Sequence, residues 1–184
     1  MKPRERVLRT AIKLFYVEGI RAVGVDRIAA EAEVSKMTLY RHFPTKDDLV
    51  VAVLEERDGP ARSMLKAAAE HAPGGTPRDQ LIGCFAMLKP WFTSRGYRGC
   101  PFMNASLELA DPGHPAQVVV ERHKQATRDQ FAELTKQLEV GDPEGLADQL
   151  AVLFDGAIAQ AQMRDPETTA DAALTAAAAL IDAA

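Results

Sequence analysis

The chain has 184 residues, 47% hydrophobic and 6% aromatic, with 22 Lys and Arg against 26 Asp and Glu for a formal net charge of −4. That length and apolar content allow one substantial core or two small ones sharing an interface. Abundant alanine, few aromatics and apolar residues recurring at three- and four-residue intervals point to an all-α fold. No apolar run approaches membrane-spanning length. The opening MKPRERVLRTAIKLF lacks the apolar stretch and cleavage site of a secretory signal, and Cys84 and Cys100 form neither a disulfide framework nor a zinc-site spacing. A cytoplasmic protein with no membrane partner, metal or cofactor is expected.

The net charge conceals an asymmetry. Residues 1 to 50 carry ten Lys and Arg against seven Asp and Glu, a charge of +3, whereas residues 51 to 184 carry twelve against nineteen, a charge of −7. A basic head joined to an acidic body is compatible with a nucleic-acid partner for the head.

In chain order, Val7, Leu8, Ala11, Ile12, Leu14 and Phe15 fall at helical spacing, and Gly19 can stop a first helix over residues 3 to 18. A second short helix is read from Val25 to Ala32, with Ile28 and Ala29 inward. After a tight turn, Ser35 can cap a third helix by accepting a backbone N–H. That helix, KMTLYRHF, puts Leu39 and Phe43 on one face and Met37 and Arg41 opposite, with Thr38 and Tyr40 on the flanks. Tyr40 and His42 lie close enough to the packing face to serve the core instead. Pro44 ends the helix and Thr45 can cap the next. Lys46 then sits at a positive helix N-terminus, where backbone N–H groups and an ammonium can jointly hold a phosphate.

The segment VDRIAAEAEVSKMTLYRHFPTKDDLV closely resembles the N-terminal DNA-binding region of the tetracycline-repressor-like (TetR) family. The resemblance covers about the first fifty residues. It implies that Lys36, Thr38, Tyr40 and His42 approach bases or phosphates and that Lys46 contacts a backbone phosphate; Arg41, facing outward, suits phosphate or guanine. Three positions depart from the family pattern. Gly24 replaces the usual Ser or Thr cap of the second helix. Glu33 replaces a turn glycine, at a cost of about 1 kcal/mol if the backbone there needs positive φ. Met37 replaces a frequent glycine and adds an apolar side chain able to meet a thymine methyl.

Beyond the head, a fourth helix runs through Leu49 to Leu65 and is expected to kink or divide at Gly59-Pro60. Further helices are read at about 77 to 95, 114 to 138, 144 to 163 and 167 to 183, separated by YRGCPF, ADPGHP, GDPEG and DPE turn signals. The division is therefore a helix-turn-helix domain over 1–48 and a helical ligand-binding and dimerisation bundle over 49–184. Leu146, Leu150, Leu153, Phe154 and Ile158, with Leu174 and Leu180, offer more apolar surface than a terminal hairpin hides alone. They are assigned to a homodimer interface, and the resemblance implies the same arrangement, with an inverted-repeat operator.

Between head and tail lie Phe85, Leu88, Trp91 and Phe92 on one helix, with Phe102, Met103 and Asn104 just beyond. The segment RGCPFMNASLELADPGHPA resembles a stretch that lies beside the effector cavity in a subset of the family. With His123 these residues are the candidate lining of a small-molecule site, mostly apolar with a few polar anchors; core packing explains the same residues. A ligand fitting the body only when the heads are wrongly spaced would release DNA, so a ligand-responsive repressor is expected. The alternative is an oxidation-sensing DNA-binding regulator using Cys100, whose thiol pKa nearby arginines could lower. No HExxH, G-x-S-x-G, phosphate loop or dinucleotide fingerprint is present, so no catalytic residue is assigned and an enzyme is not expected.

Overall fold

The structure, a computed structural model, describes all residues 1–184. It is all-helical, in the order α1 (Pro3–Glu18), α2 (Val25–Glu31), α3 (Lys36–His42), α4 (Lys46–Glu70), α5 (Pro77–Ala86), α6 (Leu88–Phe92), α7 (Pro101–Leu109), α8 (Ala116–Thr135), α9 (Pro143–Gln160) and α10 (Pro166–Ala183). Local chemistry sets most of the starts. Pro opens α1, α5, α9 and α10 at the first helical position, where its missing N–H costs nothing. Thr76, Asp142 and Asp165 each accept a backbone N–H from the first turn of the helix they precede.

Three readings of the helices are revised. Of the kink or division expected at Gly59-Pro60, division does not occur: the fourth helix runs from Lys46 to Glu70 with Pro60 inside it. Proline forfeits one main-chain hydrogen bond there, and the flanking turns retain theirs. Segment 101–109, lying between two turn signals, is a helix, because Pro101 occupies the first position of α7 rather than ending a turn. The helix read at 77 to 95 is two, with Met87 between α5 and α6.

By packing, the chain forms two compact units: residues 1–59 with 101–122, and residues 60–100 with 123–184. The division at residue 48 drawn from the sequence is one of role, whereas the packing units change inside α4 and again inside α8. In the first unit Val7, Ala11, Val23, Ile28 and Leu39 are wholly buried where α1, α2 and α3 meet. In the second, Phe85, Phe131 and Phe154 form a triangle of rings with centroids 5.6 to 5.9 Å apart, and α10 packs along α5, α6 and α9. Two polar side chains there tie separate segments together: Tyr97 Oη donates to Ile158 O at 2.7 Å and Thr135 Oγ1 to Pro143 O at 2.8 Å.

Gly83 lets α5 approach α4 closely. A Cβ at this position would lie 2.5 Å from Ala68 O and 2.8 Å from Ala72 Cβ. Gly83→Ala is therefore expected to destabilise the protein by about 1–3 kcal/mol despite alanine's better helix propensity. A lowered urea midpoint with unchanged helical circular dichroism at zero denaturant checks it.

Candidate nucleic-acid interface

Seven residues make α3 too short to hold itself together, so its ends and its buried face must do so. Ser35 Oγ accepts Thr38 N at 3.1 Å and lies 2.9 Å from Thr38 Oγ1. At the other end, Phe43 N donates to Leu39 O, and the Arg4 guanidinium lies 5.2 Å from the Phe43 ring centroid. Leu39 and Phe43 are buried. The opposite face is open: Met37 is 82% exposed, Tyr40 is 38% exposed, and Arg41 is exposed with no ion pair holding it. Met37 and Arg41 thus share an outward stripe as the 100° count requires.

The remaining head residues divide differently. Lys36 Nζ pairs with Asp26 Oδ1 at 2.7 Å across the α2–α3 turn, and this partner holds its pKa up. Thr38 is tied to Ser35, and His42 is half-buried at the last position of α3. Thr45 caps α4 as expected: its Oγ1 accepts Asp48 N at 3.0 Å, and Asp48 Oδ2 accepts Thr45 N at 2.9 Å. Lys46 is not splayed toward solvent. Its Nζ donates to Ile20 O at 2.5 Å and lies 5.9 Å from the Phe15 ring centroid, and burial pulls its pKa down.

The three departures have physical outcomes. Gly24 opens α2 with no side-chain cap. Glu33 adopts φ +53°, the left-handed conformation expected of a turn glycine there, and Arg6 Nη2 donates to its carbonyl at 2.8 Å. Met37 projects freely.

Of the eight residues assigned to an effector site, Phe85, Leu88, Phe92 and His123 are buried and Trp91 is half-buried, all in the second unit. Phe85 belongs to the ring triangle of the core, and Trp91 lies against Phe92 and Tyr97 with centroids 5.9 and 5.5 Å away. Phe102, Met103 and Asn104 fall in the first unit. There Asn104 lines a narrow cleft with Phe15, Ile20, Val53, Arg57 and Glu108, of about 20 Å³, the space of one water molecule.

The residues assigned to a dimer face need correction. Leu146, Leu150, Phe154 and Ile158 are already buried within the single chain, so a partner cannot remove them further from water. Helix α9 is apolar on several sides, and its period alone could not choose between them. Leu153, Leu174 and Leu180 remain half-buried, and Val152, which the sequence reading passed over, is 74% exposed. Val152, Leu153, Gly156, Ala159, Ala172 and Ala176 line an open groove between α9 and α10. Both thiols are free and buried, and burial pushes Cys84 up to about 12, which leaves that thiol almost no reactive thiolate at neutral pH.

A capped, seven-residue helix with a packed face and an open face, set across two others, defines a helix-turn-helix DNA-binding protein. The family model for bacterial regulatory proteins of the tetR family matches residues 7–53. The fold resembles that of a TetR-family transcriptional regulator from Streptomyces coelicolor at 38% identity, covering 98% of this chain and 95% of that one with a TM-score of 0.91. It also resembles a TetR transcriptional regulator from Streptomyces avermitilis at 32% identity, covering 96% and 98% of the two chains with a TM-score of 0.84. Among curated relatives, the HTH-type transcriptional regulator YjdC of Escherichia coli is 26% identical over 92% of this chain and 88% of its own. The chain belongs to the TetR family of transcriptional regulators, proteins that act by binding DNA rather than by catalysis.

Glu33→Gly is expected to stabilise the fold by up to about 1 kcal/mol, because glycine adopts this φ without strain. The Arg6 bond to the residue 33 carbonyl survives the change; the lost carboxylate, 3.6 Å from Arg6 Nη1, is well exposed and contributes little. Thermal unfolding compared with wild type checks the sign.

Proposed function

We propose that this protein is a homodimeric repressor working in the cytoplasm, binding an inverted-repeat operator and released from it by a small, mostly apolar effector. The observation that carries the DNA reading is the open stripe of Met37, Tyr40 and Arg41 set opposite the buried Leu39 and Phe43. Arg41 can reach guanine O6 and N7, and Met37 can meet a thymine methyl. Lys36, Thr38 and His42 flank that stripe and support it by backbone contacts. Exposed apolar and small side chains along α9 and α10 support a dimer, since small residues let paired helices approach closely. The half-buried Trp91, grouped with Phe92 and Tyr97, supports an apolar effector.

Selection of duplexes from a random library, with wild type and an Arg41→Ala variant in parallel, tests the DNA reading. Wild type is expected to enrich an inverted repeat. The variant is expected to lose about 1–3 kcal/mol of operator affinity and to relax one guanine position in each half-site. No enrichment by wild type, or identical enrichment by both, overturns it.

Gly156 gives a clean test of the dimer, because a Cβ there meets nothing within 4 Å and the fold tolerates a side chain. Gly156→Arg places a bulky cation on the groove between α9 and α10. It is expected to convert the protein to a monomer by light scattering and to weaken operator binding more than tenfold, with thermal stability of the protomer retained. An unchanged dimer places the interface elsewhere.

A further inference from the structure

One peptide group in the head is held at both ends by opposite charges from two different helices. The Ile20 carbonyl accepts a hydrogen bond from Lys46 Nζ at 2.5 Å, and the N–H of the same peptide, on Arg21, donates to Glu108 Oε2 at 3.0 Å. Lys46 opens α4, directly after the recognition helix, whereas Glu108 lies on α7, 87 residues beyond Arg21. The carboxylate also lies against Gly19, where φ is +92° and a Cβ would sit 3.0 Å from Glu108 Oε2. A side chain at residue 19 would displace it.

The turn so gripped spans residues 20 to 22 and leads into α2, which begins at Gly24 without a side-chain cap. Ile20 and Val23 are buried, so the turn sets how α2 leaves α1, and α2 in turn packs on α3. Lys46 is partly withdrawn from water with its pKa lowered by burial, an effect opposed by the nearby carboxylates of Glu108 and Asp47. An ammonium directed at a main-chain carbonyl, over the Phe15 ring and beside a carboxylate, is placed to support the head from within.

We propose that Lys46 and Glu108 are positioning residues that clamp the Ile20–Arg21 peptide and hold the helix-turn-helix in its DNA-reading geometry, and that Lys46 does not use its charge on a DNA phosphate. The proposal rests on the DNA-binding reading above. It differs from a phosphate contact in a measurable way: losing a phosphate ligand lowers the salt dependence of binding, whereas loosening a clamp lowers affinity without changing the number of displaced counterions.

The test measures binding of full-length protein to the duplex recovered by wild-type selection, from 50 to 300 mM KCl, for Lys46→Ala, Lys46→Gln, Glu108→Ala, Glu108→Gln and the double alanine variant. Each variant's folding is followed in parallel by circular dichroism and thermal unfolding. Lys46→Ala and Glu108→Ala are each expected to lower operator affinity about tenfold with the wild-type salt slope. The double variant is expected to be no worse than either single one, because both grip one peptide. Glu108→Gln should retain near wild-type affinity, since its amide oxygen still accepts the Arg21 N–H. If either alanine variant fails to fold, the glutamine variants carry the comparison, with Lys46→Gln expected to keep the slope. A slope smaller by about 0.9 in the Lys46 variants, with Glu108→Ala binding as wild type, makes Lys46 a phosphate ligand and overturns the clamp. Absence of any wild-type operator removes the DNA reading itself, and the clamp's role with it.

Discussion

Burial of Leu39 and Phe43 is the constraint on which the rest of the head depends. A seven-residue helix has no independent stability, so α3 exists because its apolar face is covered by α1 and α2 and its first turn is capped by Ser35. The same packing sets the rotation of α3 about its axis, and that rotation decides which side chains face outward. The open face of Met37, Tyr40 and Arg41 is what remains once the core has taken its share.

Charge is arranged around this core rather than through it. Four of the head's ten cations are tied into the fold: Arg27 to Glu18 and Glu31, Lys36 to Asp26, Arg6 to the Glu33 carbonyl, and Lys46 to Ile20. These pairs are largely exposed, so each adds little to stability. They orient long side chains and leave Arg41 as an uncommitted cation on the open face. The acidic body follows the same pattern. Pairs such as Arg78 with Asp182, Lys89 with Asp171 and Arg128 with Asp148 lie at its surface, while the ring triangle and the alanine-lined packing of α10 provide its interior.

Much of this was legible in the residues. The bounds of α1, α2 and α3, the Ser35 and Thr45 caps and the positive φ at Glu33 follow from local rules, in which a residue's role depends on neighbours three or four positions away. Three features were hidden for related reasons. Pro60 reads as a break, yet the turns around it carry the helix across. Pro101 after a Gly-Cys turn reads as more turn, although proline at a first helical position is equally a start signal. On α9, apolar residues occur around much of the helix, so periodicity could not separate the stripe that packs inward from the one left open.

The sequence by itself determined an all-helical chain, a helix-turn-helix head and the face of α3 that points outward, because these depend on short-range spacing and capping chemistry. Only the tertiary structure decided that Leu150 and Phe154 serve the protomer's own core while Val152 faces solvent, that 101–122 packs in the unit holding the head, and that Lys46 turns inward. Each depends on which distant element covers which face. That choice is settled by packing and by the pairing of buried polar groups between segments far apart in the chain, which spacing along one helix does not encode.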